Sequence, residues 1–180
     1  MVTATEAIAR HRIPSRSRAW LVAYSALGAA ASVKLLARPR ELPPDTEGRS
    51  KGRAGLVAGL VLSGIGYQLG RRALGDRPTV PPSEPLWLEM AALAGVVAPV
   101  EEVVWGGLVQ PGTGVVATGA LFAAKHPLID GRWRRTLGLG LFGIGLGLLR
   151  RRSRKLALLV HVGCNAGGVA LGHLTGRDQF

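Results

Sequence analysis

Glu101 and Glu102 stand side by side inside an otherwise apolar stretch, Leu86 to Val109, and two later apolar stretches carry His126 and then His161 with Asn165. An ionisable group in hydrocarbon costs on the order of 3 kcal/mol on insertion scales, so a chain that keeps two carboxylates and two imidazoles there uses them. Such groups can activate a water, stabilise a developing anion, relay protons or hold a metal. The pattern points to a buried polar site in a membrane protein.

Helix rise gives an independent test of whether these groups could meet. With the third apolar segment starting at Leu86, Glu101 lies about 22 Å along it and about 12 Å from its far end. The fourth segment returns from that far side and places His126 about 20 Å from it. The sixth starts on the same side and places His161 and Asn165 about 8 and 14 Å in. All fall in one slab below one face. His161 and Asn165 are also i and i+4, so both project from one helix stripe.

Six hydrophobic segments must position them: Ala19 to Ala37, Ala54 to Gly70, Leu86 to Val109, Thr113 to Leu128, Thr136 to Leu149 and Leu156 to Leu174. This predicts an all-α, polytopic transmembrane helical bundle. A crossing needs about 20 residues, so the first, third and sixth qualify and the second and fourth are slightly short. The fifth would cover only about 21 Å. It requires snorkelling by Arg134, Arg135, Arg150 and Arg151, local thinning of the bilayer, or burial within the bundle. Arg38 to Arg53, with Pro39, Pro43 and Pro44, and Asp76 to Pro85, with Pro78, Pro81, Pro82 and Pro85, read as irregular loops. The glycine run Gly138, Gly140, Gly143, Gly145 and Gly147 reads as a surface for close helix approach. Glu89 and Lys34 fall near segment ends and are expected to snorkel, and His173 to be a solvated or packing residue. Basic residues balance between the two faces of a six-span arrangement, so the positive-inside rule assigns no orientation.

The chain has 180 residues, 47% of them hydrophobic, and a net charge of +12. Its Arg and Lys cluster between apolar runs, as flanks of membrane spans do, and would attract anionic lipid. Aromatic residues are only 5% of the chain and no nucleic-acid-binding signature appears, so no nucleic-acid partner is expected. The single cysteine, Cys164, can form neither an internal disulfide nor a CxxC site. The apolar run after Arg10, Arg12, Arg16 and Arg18 continues past Ala29, Ala30 and Ala31 to Ala37, which fits an uncleaved first span better than a signal peptide.

Three motifs in order carry a resemblance. Glu101-Glu102 followed by Gly107-Leu108, Phe122-Ala-Ala-Lys-His126, and His161-Val-Gly-Cys-Asn165 resemble the EExxxR, FxxxH and HxxxN motifs of the CPBP family, the CAAX-protease and bacteriocin-processing intramembrane proteases. The resemblance covers about half the chain. It implies that Glu101 acts as general base on a water, that His126 helps to hold that water, and that His161 and Asn165 stabilise the oxyanion, with Glu102 beside the base. Peptide hydrolysis needs an activated water and donors aimed at the developing charge, and both work better in a dry site.

The chain then divides into a basic tail (1–18), two N-terminal transmembrane segments with Pro-rich loops (19–85), a CPBP-like catalytic core (86–174) and a C-terminal tail (175–180). The expected protein is an integral membrane endopeptidase, in the cell membrane, whose partners are lipids and a peptide or membrane-protein substrate. No cofactor is required by this mechanism, although Glu101, His126 and His161 resemble a catalytic zinc ligand set without the HExxH spacing. One departure stands out: Gly106 occupies the place of the motif arginine, which favours the alternative of a catalytically silent membrane scaffold or immunity protein. Lys125 is the expected replacement cation, paired with Glu102. A transporter with a glutamate proton relay would predict inverted repeats, and none is convincing.

Overall fold

The computed structural model describes residues 15–37 and 49–180, and every regular element among them is helical. His11, the first basic residues of the tail, and Pro39, Pro43 and Pro44 of the first expected loop lie outside the described residues. Helix α1, Arg16–Leu36, starts after Ser15, whose side chain accepts from the Arg18 N–H. Helix α2, Arg49–Val61, continues through a π-helical turn, Leu62–Gly66, into α3, Tyr67–Ala73. It therefore begins inside the stretch expected to be a loop to Arg53, because no proline follows Pro44 to oppose it. The proline-rich stretch before Leu86 is irregular, as expected.

A long rod follows, made of α4 (Leu86–Glu89), a π-helical segment Met90–Val97, α5 (Ala98–Glu101) and a second π-helical segment Glu102–Val109. Pro99 lacks an N–H and its ring crowds the carbonyl four residues back, which the wider π winding accommodates. Helix α6, Gln110–Asp130, is broken at Gly114, whose φ of 80° suits glycine alone. The break reverses the chain: Lys125 reaches Glu101, 24 residues away, although an unbroken helix would separate them by about 36 Å. After a single turn of 3₁₀ helix, Trp133–Arg135, come α7 (Thr136–Arg152) and α8 (Arg154–Thr175).

Helices stand at all six expected places. Among the described residues three stretches are long and apolar enough to cross a membrane: Arg16–Leu36, Leu86–Leu128 and Arg154–Thr175. The second of these joins the expected third and fourth segments.

Helix α7, too short to span readily, is buried in the bundle. Its Gly138, Leu139, Phe142, Gly143, Gly145, Leu146, Gly147 and Leu149 are all covered. A Cβ on Gly145 would lie 2.5 Å from the Ser63 Oγ, and one on Gly143 would lie 3.0 Å from the Gly119 Cα. Two faces of α7 are thus pressed against backbones of different neighbours, the α2–α3 rod on one side and α6 on the other. This is the close approach that the glycine run predicts. Phe122, Ala123, Leu139, Phe142, Leu146, Leu149 and Ala157 form the core that joins α6, α7 and α8.

Three expectations at the segment ends are corrected. Glu89 does not snorkel. It is 2% exposed and lies 2.9 Å from both the Arg16 guanidinium and the His173 Nε2, so a carboxylate at the foot of the rod is held between α1 and α8. His173 is accordingly a hydrogen-bonding neighbour of Glu89 rather than a solvated residue. Arg150 does not snorkel either, since its side chain is 6% exposed and turns inward.

Candidate active site

The adjacent glutamates sit where α5 passes into the second π segment. Successive residues on a helix point about 100° apart, so both can face one neighbour only if it lies between their directions. His161 of α8 does so. Its Nδ1 is 2.8 Å from Glu102 Oε1 and its Nε2 is 3.5 Å from Glu101 Oε2. An ionised carboxylate only accepts hydrogen bonds, so Nδ1 carries the proton donated to Glu102, and Nε2 is left facing Glu101.

Each glutamate has its own cation. Glu101, 3% exposed, is paired through Oε1 with the Lys125 ammonium and accepts a 2.8 Å hydrogen bond from the Tyr24 hydroxyl of α1. Its other oxygen is the one turned towards His161. Glu102 accepts two hydrogen bonds from Arg150 of α7, from Nε at 2.6 Å and from the terminal nitrogen at 2.7 Å, a bidentate arrangement. The expected pairing of Lys125 with Glu102 is therefore corrected. Lys125 belongs to Glu101, where it converges with the Tyr24 hydroxyl on Oε1, while both oxygens of Glu102 are taken by Arg150 of α7.

Aromatic rings enclose these charges. The Lys125 ammonium lies 4.6 Å from the Phe122 ring centre and 5.4 Å from that of Trp105, close enough for cation–π attraction. Phe122 and His126 are i and i+4 on α6, which places both rings on one stripe. Phe122 meets His126 edge-on at 5.3 Å and His161 at 6.1 Å, and Phe142 meets His161 at 5.1 Å. The first and last residues of the FxxxH pattern are thus in contact, and its phenylalanine packs against the histidine of HxxxN.

A cavity of about 270 Å³ opens beside this cluster, and Glu101, His126, His161 and Asn165 all line it. Asn165 donates from Nδ2 to the Leu93 carbonyl at 2.9 Å, tying α8 to the rod one turn from His161. Phe180 and Gln179, after the end of α8, also reach the cavity wall. The five residues singled out in the sequence therefore gather around one site.

A zinc would ask Glu101 for a lone pair beside an ammonium and a phenol already bound to it. No group of three or more His, Cys, Asp or Glu side chains among the described residues is arranged to hold a metal ion.

Two residues of the cluster carried no assigned role in the sequence. Tyr24 lies on an apolar helix far from the motifs. Its signal is the i, i+4 stripe with Trp20, since both pack on the same core. Arg150 is the first of a run of arginines that reads as a membrane flank. It follows the buried Leu146 by four residues and Gly147 by three, so helix phase aims it inward while Arg151 and Arg152 are exposed.

Residues 83–167 match the family model described as Type II CAAX prenyl endopeptidase Rce1-like. The matched stretch contains all five candidate residues together with Lys125 and Arg150, and agrees with the resemblance carried by the three motifs. Neither the curated proteins nor the solved structures give a significant match.

Proposed function

We propose that this chain, which carries an Rce1-like domain over residues 83–167, is an intramembrane endopeptidase in which Glu101 activates the water that attacks the peptide bond. The observation that supports the reading best is the joining of Glu101 and Glu102 through one histidine in the wall of a cavity, inside apolar helices. The Glu101 oxygen facing His161 takes the proton from a water as its oxygen attacks the carbonyl carbon. The tetrahedral oxyanion is met by the Asn165 amide and by the Nε2–H of His161 in the form that carries a proton on both ring nitrogens, with His126 helping to hold the water. Glu101 then passes its proton to the leaving amine as the C–N bond breaks, so the carboxylate is regenerated. Glu102, accepting from Nδ1, fixes the orientation of the His161 ring. No step calls on a metal.

The six apolar segments are read as a polytopic bundle in the cell membrane. The exposed Arg151, Arg152, Arg154 and Lys155 at the α7–α8 junction are placed to meet anionic headgroups. A peptide or membrane-protein segment entering the cavity is the substrate. The alternative of a silent scaffold drew its support from Gly106, and the guanidinium of Arg150 on Glu102 weakens that ground.

The test uses the full chain in detergent and a quenched fluorescent peptide ending in a farnesylated CaaX tetrapeptide. The parent is expected to cleave it. Glu101→Gln, which keeps the volume and removes the base, is expected to bind the peptide without cleaving it. Cleavage at the parent rate by Glu101→Gln would refute the assignment.

A further inference from the structure

We propose that Arg150 is the positioning residue that replaces the missing motif arginine, and that Gly106 and Arg150 form one exchangeable pair: the guanidinium that the family pattern places at position 106 arrives here from α7. The inference rests on the endopeptidase reading for its catalytic consequence, but the exchange itself rests on geometry alone.

Position 106 is i+4 from Glu102, so an arginine there would project along the same stripe of the rod and could reach its carboxylate. In this chain that space is filled from outside. A Cβ added to Gly106 would lie 2.7 Å from both Cδ and Nε of Arg150. No side chain at 106 can coexist with Arg150 where it stands. The glycine is therefore the condition for the arginine's approach rather than a bare loss of charge.

Arg150 is also held in a way that a chance contact is not. Its Nε and one terminal nitrogen grip the two oxygens of Glu102, and its other terminal nitrogen donates to Gln110 Oε1 at 3.0 Å. Gln110 in turn donates to the Gly147 carbonyl of α7 at 3.1 Å. The Glu102 oxygen that receives the terminal nitrogen of Arg150 is the one that receives His161 Nδ1. A continuous chain of contacts thus runs from Gln110 through Arg150, Glu102 and His161 to Glu101. Holding Glu102 ionised and aimed fixes the His161 ring, and the ring fixes where Nε2 stands relative to Glu101. A lysine could supply the charge but not the planar fork that engages both carboxylate oxygens.

The test compares four variants of the full chain, with cleavage of the farnesylated peptide and the midpoint of thermal unfolding in one detergent as separate readouts. Arg150→Met is expected to lower kcat about 10²-fold with KM little changed, the cost of a misplaced catalytic group. Arg150→Lys is expected to recover part of that loss. Gly106→Arg alone collides with Arg150 and is expected to lower both kcat and the midpoint. The double variant Gly106→Arg/Arg150→Ala removes the collision and restores the guanidinium, and it is expected to exceed both Gly106→Arg and Arg150→Met in each readout. If the parent leaves the peptide uncut, the endopeptidase reading fails, while recovery of the midpoint in the double variant still supports the exchange. A double variant no better than Gly106→Arg alone, in both readouts, overturns it.

Discussion

Replacing Lys125 with methionine removes the ammonium that neutralises Glu101 and keeps nearly the same length of side chain. Removing one partner of a buried ion pair costs about 3–5 kcal/mol, because the remaining charge is left without compensation. The Lys125 side chain is 16% exposed and that of Glu101 4%, so some solvent reaches the pair and the lower end, about 3 kcal/mol, applies. Loss of cation–π attraction to Phe122 and Trp105 adds roughly 1 kcal/mol, largely offset by contacts of the methionine sulfur with the same rings. At about 2–4 °C per kcal/mol for a chain of this size, the unfolding midpoint should fall by about 6–12 °C. Tryptophan fluorescence, to which Trp105 beside the ammonium contributes together with Trp20, Trp87 and Trp133, reports the transition in a fixed detergent. The sign of the second substitution is the sharper part of the test. Glu101→Gln added to Lys125→Met removes the stranded carboxylate, so the double variant should be more stable than Lys125→Met by about 2 kcal/mol, most of the penalty of the unpaired charge. If the two substitutions simply add, or Lys125→Met melts with the parent, the ammonium is not the counter-charge of Glu101.

Asn165→Ala should lower kcat about 10²-fold as one oxyanion donor is lost, with a further loss of about 1 kcal/mol of stability from its bond to the Leu93 carbonyl. Peptide cleavage and the thermal midpoint measure the two effects separately, and unchanged kcat would remove Asn165 from the oxyanion role. Gly145→Leu should prevent a monodisperse fold, since its Cβ would stand 2.7 Å from the Ser63 backbone nitrogen and 2.8 Å from the Gly59 carbonyl and force α7 away from α2 and the π-helical turn after it. Size-exclusion chromatography of the detergent-solubilised protein checks this, and a parent-like profile would contradict the close packing.

Much of the fold was legible because apolar runs of this length have few alternatives to helix. The reversal between the third and fourth segments was expected from the gap between Val109 and Thr113, whereas the break itself falls at Gly114, just inside the expected fourth segment. The place of α7 was less so. A helix facing lipid and a helix buried among helices are both apolar, so composition does not separate them. The glycine run announced close approach, but not that Gly145 would meet Ser63 while Gly143 met Gly119. Ion pairs at the segment ends were hidden for another reason. Glu89 reads as a snorkelling residue until Arg16 and His173, from two other helices, are known to converge on it.

The site divides along the same line. Depth along a helix is a one-dimensional quantity, and it brought Glu101, His126, His161 and Asn165 to one level without any knowledge of packing. Which side of Glu101 each neighbour occupies depends on helix order around the bundle, and this is where the sequence misdirected Lys125 to Glu102. The partners it did not name, Tyr24 and Arg150, come from α1 and α7, 77 and 48 residues from the glutamates. Two carboxylates in apolar surroundings require two cations close by, and here each arrives on a different helix. The cluster consequently ties α1, α6, α7 and α8 to the rod while it sets the geometry of the base and the histidine. In such a site replacing one member of a charged pair touches stability as well as catalysis: Glu101→Gln strands Lys125 as surely as Lys125→Met strands Glu101. Only paired replacements, in which the charge and its partner leave together, isolate the loss of chemistry from the loss of structure.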